Sequence, residues 1–183
     1  LYLHMRIAIN GMGRIGRLLF RRLINHETIQ VVAVNDIMDT GNLAYLLKYD
    51  SVYGTWSDSA VVENDQLISS GKTIMALREK DPRRLPWKEL QVDVVVECTG
   101  RLTGREGASA HIDAGARKVL LSTTGSPEIP LLIYGFNQHA LKPEETIISP
   151  GGCMTNCSTH ILYILNSIGI VSAHLYVLHS YTS

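Results

Sequence analysis

The sequence predicts an α/β fold of the doubly wound type, a mostly parallel sheet with helices on both faces, followed by the beginning of an α+β domain. Two observations favour this fold. Short apolar runs alternate with segments of helical periodicity, and strands joined through helices pair in parallel by right-handed crossovers. A glycine-rich turn, residues 11–16, also follows the first apolar run directly.

The glycine-rich turn is placed to bind a dinucleotide. It lies between a predicted strand at residues 6–10 and a predicted helix at residues 14–25. Gly11 permits the tight turn, Gly13 lets the backbone approach a pyrophosphate, and Gly16 lets helix and strand pack closely. The pyrophosphate would lie against the free N–H groups at the start of the helix. The turn therefore predicts the Rossmann-type variant of the doubly wound fold.

Asp36 completes this pattern. It comes directly after the second predicted strand, residues 31–35. A carboxylate at this place binds the adenosine ribose and repels the 2′-phosphate of NADP, so we predict NAD as the cofactor.

The following elements continue the alternation after one interruption. A short helix is predicted at residues 42–49, and short apolar runs between polar turns predict one or two hairpins over 60–77. The apolar run 92–98 predicts a strand buried on both faces of the sheet. Thr103 and Glu106 form a capping-box pattern, which predicts that a helix begins there. Further strands are predicted at residues 119–121, 132–134 and 146–148.

The chain is expected to divide into two domains. Residues 5–152 would form the dinucleotide-binding domain, and residues 153–183 an incomplete catalytic domain that opens with a helix. The run 171–179 predicts a strand after that helix. We interpret residues 1–4 as the remnant of a tag.

Composition excludes several classes of protein. The 183 residues are 45% hydrophobic and 19% charged, with a formal net charge of zero, which is typical of a globular domain without bulk attraction to nucleic acid. No apolar run reaches the roughly 18 residues of a membrane span. There is no signal-peptide pattern, and the odd cysteine count fits a reducing compartment. We therefore predict a cytoplasmic location and no membrane or nucleic-acid partner.

Three cysteines differ in their expected roles. Cys153 follows a glycine pair and opens a predicted helix, where the helix dipole favours a nucleophilic thiolate. Cys157 lies one turn later and is interpreted as a small buried residue. A single C-x3-C spacing does not make a zinc site, so no metal is predicted. Cys98, in a predicted central strand, is expected in the core.

Several histidines could serve as a base for the thiol. His179 closes the predicted strand after the cysteine helix, and His174 would face the opposite side of that strand. The residues alone leave the role of His179 open. The others are expected on loops or helix surfaces, namely His26, His111, His139 and His160.

Six motifs, in one order, resemble those of the phosphorylating glyceraldehyde-3-phosphate dehydrogenase family. They are INGMGRIGR at 9–17, AVND at 33–36, LKYD at 47–50, CTG at 98–100, TNC at 155–157 and HSYT at 179–182. The resemblance runs from about Met5 to the last residue. It covers the family's NAD domain and only the first helix and strand of its catalytic domain.

The resemblance implies an enzyme that oxidises glyceraldehyde 3-phosphate with NAD and inorganic phosphate, as in glycolysis or gluconeogenesis. Cys153 would form the thioester, with His179 as its base. Thr182 would bind the substrate phosphate, while Gly152 and Met154 would flank the nucleophile in the substrate site. The family is usually a homotetramer.

The resemblance also implies roles around the cofactor. Arg14 and Ile15 would hold the pyrophosphate, and Asp36 the ribose. Lys80 matches a position at the adenine end, and Ser122 matches one near the nicotinamide.

The cysteine motif departs from the family. The family usually writes SCTTNC, whereas this chain has GCMTNC at residues 152–157. Hydroxyls that normally help to bind the attacking phosphate are therefore missing, and a methionine side chain donates no hydrogen bond. One alternative is water as acyl acceptor, as in the related erythrose-4-phosphate dehydrogenases, which residues 85–90 and 134–138 also resemble. Another is a non-catalytic NAD-binding fragment, because the family's remaining half is missing from this chain.

Overall fold

An eight-stranded sheet is the framework of this computed structural model, which describes residues 4–179. Its strands are β1 (Met5–Asn10), β2 (Ile29–Asn35), β3 (Ala60–Glu63), β4 (Gln66–Ser69), β5 (Lys72–Leu77), β6 (Val94–Glu97), β7 (Lys118–Leu121) and β8 (Ile147–Ile148). The helices are α1 (Arg14–Leu23), α2 (Thr40–Lys48), α3 (Arg105–Asp113) and α4 (Cys153–Asn166), with single 3₁₀ turns at Pro82–Arg84 and Gln138–Ala140.

The strand order is β3-β4-β5-β2-β1-β6-β7-β8. Within this order the neighbours in the stretch β5-β2-β1-β6-β7-β8 are parallel, whereas β3 and β4, and β4 and β5, are antiparallel. The chain runs outward from β1 through β2 and then returns to add β6 on the other side of β1. The predicted doubly wound, mostly parallel α/β fold is therefore confirmed. Ligands of such sheets bind outside the carboxyl ends of the strands where the order reverses.

The interrupting hairpins are confirmed as well. Asn64 and Asp65 link β3 to β4 with φ of 49° and 58°, and Ser70 and Gly71 link β4 to β5 with φ of 51° and 70°. Two-residue turns with positive φ match the twist of the strands that they join.

The core lies on both faces of the central strands. On one face Ile9 packs with Phe20 of α1, and the Phe20 ring meets the edge of Trp56 at 6.1 Å between centroids. On the other face Ala8 packs with Val95 and Trp87. Burial of one such large side chain contributes about 1.5–3 kcal/mol, so these layers hold α1 and the loop around Trp87 firmly on the sheet.

Three predicted local features are wrong. Helix α3 begins at Arg105 after Gly104, and no side chain caps it, so the Thr103–Glu106 capping box does not form. Residues 132–134 form no strand; only an isolated bridge joins Leu131 to Ser149. Residues 171–179 have no regular secondary structure, because no described strand lies beside them to accept their backbone hydrogen bonds.

Two predictions about burial are wrong too. Cys157 is exposed, since α4 buries none of its side chains among the described residues. His111, expected on a helix surface, is completely buried. No helix of the described chain has the length and apolarity needed to cross a membrane.

Candidate active site

The glycine-rich turn joins β1 to α1 at the carboxyl edge of the sheet. Gly11 has φ of +94°, and a Cβ added there would lie 2.6 Å from the Thr99 nitrogen and 2.7 Å from the Cys98 carbonyl carbon. A Cβ added at Gly16 would lie 2.0 Å from the Gly11 oxygen. Both contacts are with backbone atoms, which cannot rotate away. Gly11 therefore lets the turn pack against the loop after β6, and Gly16 lets α1 pack against the turn itself.

Gly13 differs from the other two glycines. A Cβ added there would meet no heavy atom of the described residues within 4 Å. Gly13 is the N-cap of α1 and no side chain caps the helix, so the first N–H groups of α1, at Arg14 and Ile15, have no helical partner. Open space beside unpaired N–H groups at a positive helix end fits a pyrophosphate.

Asp36 braces the turn from the end of β2. Its Oδ2 accepts a hydrogen bond from the Met12 N–H at 2.6 Å, and its Oδ1 accepts one from the Met38 N–H at 2.9 Å. Each carboxylate oxygen can accept a second hydrogen bond, so Asp36 retains capacity for ribose hydroxyls. The carboxylate therefore shapes the turn and remains available to a ligand.

Arg17, on α1, also holds the glycine-rich turn. Its Nη1 donates to the Met12 oxygen at 2.9 Å. Burial lowers the pKa of the Arg17 guanidinium, while the charge of Asp50 opposes this change.

The remaining predicted cofactor residues follow other strands at the same edge. Lys80 is exposed in the loop after β5. Ser122 follows β7, where its N–H donates to the Glu97 oxygen at 2.9 Å. Because the carboxyl ends of parallel strands lie along one edge, the structure places these loops on the same side as the turn.

The side chains of Cys153 and His179 lie next to each other. The Cys153 Sγ lies 3.5 Å from the His179 Nε2, although the residues before His179 form no strand. Cys153 is the first residue of α4 and is exposed. An exposed thiol at a helix N-terminus with an imidazole beside it is the arrangement of a nucleophile with its base.

The turn before Cys153 is held by side chains that sequence reasoning missed. The Asn156 Nδ2 donates to the oxygens of Pro150 and Gly152, at 2.8 Å and 3.0 Å. The buried Ser149 hydroxyl donates to the Thr123 oxygen at 2.8 Å and accepts the Gly151 N–H at 3.1 Å. These bonds join the start of α4 to the loop that carries Ser122. The signal for them was the serine directly before the Pro-Gly-Gly turn.

Other residues near the thiol have separate environments. Met154 is exposed, and a Cβ added at Gly152 would lie 3.3 Å from the Thr124 Oγ1. Burial raises the pKa of the Cys98 thiol to about 11, against a smaller lowering by a hydrogen bond with Ser122. Cys98 is therefore protonated at neutral pH and is not a nucleophile. The predicted phosphate ligand Thr182 lies outside the described residues.

A metal site is not found in the part of the chain that the structure describes, where no three His, Cys, Asp or Glu side chains could share an ion. The site is instead formed by the glycine-rich turn, Asp36, and the thiol–imidazole pair. Behind it lies a buried Glu97–His111 pair, with 3.0 Å between the Glu97 Oε2 and the His111 Nε2.

Comparison with known proteins identifies the family of this chain. Residues 5–105 match the family model described as glyceraldehyde 3-phosphate dehydrogenase, NAD binding domain. The chain is 45% identical over 181 residues to glyceraldehyde-3-phosphate dehydrogenase of Thermotoga maritima, a match that covers 97% of this chain and 54% of the relative. It is 41% identical over 181 residues to the enzyme of that name from Mycoplasma pneumoniae, covering 98% and 54%. The chain spans about half the length of the curated relatives that it matches.

Proposed function

The chain belongs to the glyceraldehyde-3-phosphate dehydrogenase family, with NAD as its cofactor, and from this premise we propose that it serves the oxidation of glyceraldehyde 3-phosphate to an acyl phosphate. The observation that carries the proposal is the 3.5 Å contact between the Cys153 Sγ and the His179 Nε2. Neither residue is needed to bind a dinucleotide, so their pairing supports covalent chemistry on the bound substrate.

Formation of the covalent adduct uses the start of α4. His179 takes the thiol proton, and the Cys153 sulfur attacks the aldehyde carbon, forming a C–S bond while the carbonyl electrons move to oxygen. The backbone N–H of Cys153 is one of the unpaired donors at the helix N-terminus and stabilises the oxyanion. The oxyanion then takes the proton from His179 and becomes a hydroxyl.

Oxidation converts this adduct into a thioester. NAD supplies the hydride acceptor. His179 accepts the hydroxyl proton as the C–H electron pair leaves, and a C=O bond forms at the carbon that remains attached to the Cys153 sulfur. Phosphate then attacks this carbon, the C–S bond breaks, and the thiolate leaves.

The acyl acceptor depends on hydroxyl groups near the thiol. Gly152 and Met154 supply none, but the Thr124 Oγ1 lies 3.3 Å from the position of a Cβ on Gly152. Thr124 is exposed, so its hydroxyl is available to a solvent-borne acceptor. This hydroxyl supports phosphate as the acceptor.

A spectrophotometric assay tests the proposal. The protein is mixed with glyceraldehyde 3-phosphate and NAD, with and without phosphate, and NADH formation is followed beside Cys153→Ser. We expect phosphate-dependent turnover that Cys153→Ser abolishes. Turnover with erythrose 4-phosphate that does not require phosphate would favour the water-dependent alternative. NAD binding without turnover would favour the non-catalytic module.

We further propose a cytoplasmic homo-oligomer, a tetramer as in the family, that acts in glycolysis or gluconeogenesis. Exposed apolar side chains on and after α4 support association, including Ile161, Ile164 and Ile168. Light scattering coupled to gel filtration measures the oligomeric mass, and a monomer at micromolar concentration would contradict the association.

A further inference from the structure

A chain of buried polar side chains crosses the sheet behind the glycine-rich turn. We propose that its central pair, Glu97 and His111, consists of positioning residues that hold the loops of the NAD cleft in their binding arrangement. The inference rests on the cofactor site described above. Glu97 and His111 are 2% and 0% exposed, so neither touches a ligand directly.

The protonation of His111 follows from its partners. The Trp87 Nε1 donates to the His111 Nδ1 at 3.0 Å. An indole N–H is only a donor, so the Nδ1 atom must carry a lone pair. The ring is therefore neutral with its proton on Nε2, which donates to the Glu97 Oε2 at 3.0 Å. Trp87 thereby fixes the tautomer that Glu97 requires.

The Glu97 carboxylate is saturated with donors. Its Oε2 accepts the Asn10 Nδ2 at 2.6 Å as well as His111. Its Oε1 accepts the Thr99 N–H at 2.7 Å and the Thr99 hydroxyl. Four donors on one buried carboxylate make strong, charge-assisted bonds, whereas a lost donor leaves charge uncompensated.

Thr99 connects the Glu97 carboxylate to the glycine-rich turn. Its nitrogen occupies the space 2.6 Å from where a Cβ of Gly11 would be, so the two backbones are in direct contact. The Cys98 N–H also donates to the Asn10 oxygen at 2.7 Å. A displacement of Thr99 must therefore move the wall against which Gly11 turns.

The network continues to the adenosine side of the cleft. The Asn35 Nδ2 donates to the Asn10 Oδ1 at 2.7 Å and to the Glu79 oxygen at 2.9 Å. The Asn35 Oδ1 accepts the Glu79 N–H at 2.9 Å. Side chains thus join the ends of β5, β2, β1 and β6, from the loop beside Lys80 to the loop at Thr99. Such prior ordering of loops reduces the conformational cost of binding a ligand.

Two substitutions at His111 of similar size separate positioning from packing. His111→Leu removes both bonds, whereas His111→Gln offers an N–H to Glu97 and an oxygen to Trp87. Ser69→Ala is the matched stability control, because it removes a buried hydrogen bond to the Ser59 oxygen, 2.9 Å long, in the distant hairpin. NAD affinity is measured by calorimetry, amide exchange by NMR, and the free energy of unfolding by urea titration.

We expect His111→Leu to raise the Kd for NAD by about tenfold or more and to accelerate amide exchange at Thr99 and Met12. His111→Gln should bring both the Kd for NAD and the amide exchange rates close to those of the wild type. Ser69→Ala should lower the free energy of unfolding without changing the Kd or the exchange rates. Should His111→Leu fail to fold, Trp87→Phe replaces it, since it removes the hydrogen bond that fixes the tautomer while a smaller aromatic ring remains in the core.

Unchanged NAD affinity and unchanged Thr99 exchange in His111→Leu or its substitute would overturn the inference. A wild-type chain that does not bind NAD would instead overturn the cofactor site itself. Equal losses of NAD affinity in Ser69→Ala and His111→Leu would reduce His111 to a structural residue and also contradict the inference.

Discussion

Alanine substitutions at Gly11 and Gly13 are expected to affect different properties. Gly11→Ala should lower the stability of the fold, whereas Gly13→Ala should weaken NAD binding. At Gly11 a Cβ would lie within 2.9 Å of three backbone atoms of the loop after β6, at a φ of +94°. At Gly13 a Cβ would meet no described atom within 4 Å, and the φ of −67° is allowed to any residue. The two glycines are only two residues apart in sequence, but Gly11 lies against backbone atoms and Gly13 faces open space.

The cost of Gly11→Ala has two parts. A left-handed backbone costs an L-residue roughly 1–2 kcal/mol. Inserting a methyl group against a fixed backbone costs about 1–3 kcal/mol, because the strand end or the turn must shift. The sum is about 2–5 kcal/mol of unfolding free energy, a large share of the roughly 5–15 kcal/mol of a typical domain.

Gly13→Ala should change the free energy of unfolding by less than about 1 kcal/mol, since alanine reduces the freedom of the unfolded chain but is a poorer N-cap than glycine. Its methyl group would instead stand in the space over the first N–H groups of α1. Displacing the pyrophosphate by this amount should cost about 1–3 kcal/mol, or roughly ten- to hundredfold in Kd for NAD.

Urea unfolding, thermal unfolding and calorimetric NAD titration of both variants provide the assay. Gly11→Ala should lower the unfolding midpoint, with a fall in Tm of about 2–4 °C for each kcal/mol lost in a chain of this size. Wild-type stability in Gly11→Ala would refute the packing argument. Wild-type NAD affinity in Gly13→Ala would refute the assignment of the open space to the pyrophosphate.

Three further predictions concern single side chains. Asp36→Ala should lower the ratio of the NADP and NAD dissociation constants, and the ratio cancels the loosening that follows from losing the bonds to Met12 and Met38. An unchanged ratio in parallel titrations would place the carboxylate away from the ribose. Burial raises the pKa of the Cys98 thiol from 9.0 to about 11, so the thiol ionises in the unfolded chain before it does in the folded one. The free energy of unfolding should therefore fall by about 2 kcal/mol between pH 9 and 11, and urea unfolding of Cys98→Ala should lack this part of the decline. Thr124→Ala should shift the product from acyl phosphate toward free acid by ³¹P NMR, whereas Thr124→Ser should not; equal product ratios would exclude the hydroxyl.

The parallel part of the sheet was predictable because its strands have a recognisable sequence pattern. Strands β1, β2, β6 and β7 each contain a run of three or four apolar residues, and a strand that ends in a glycine-rich turn has few alternatives. Asp36 and Cys153 were predictable for the same reason, since each lies directly at the end or the start of such an element. Their position depends on local sequence alone.

The Glu97–His111 pair was missed because its partners are distant in sequence. A histidine in a short helix gives no sign of burial, and Trp87 precedes it by 24 residues. The one usable signal was Glu97 itself, a carboxylate in an otherwise apolar strand that required buried donors. The strand predicted at residues 171–179 is wrong because the prediction used only a local pattern of apolar residues. A strand also needs a neighbouring strand to share its backbone hydrogen bonds, and that pattern does not show whether one is present.

The two parts of the proposed chemistry have different structural support. The proposed NAD site is supported by the Glu97 carboxylate with its four donors and by the backbone contacts at Gly11. Ser149 joins the chain ahead of the thiol to the loop after β7, Asn156 holds the turn before α4, and His179 follows a segment without regular structure. We therefore expect substitutions at Glu97 or His111 to act on cofactor affinity, and Asn156→Ala, which removes bonds only within the turn before α4, to act on the reactivity of Cys153.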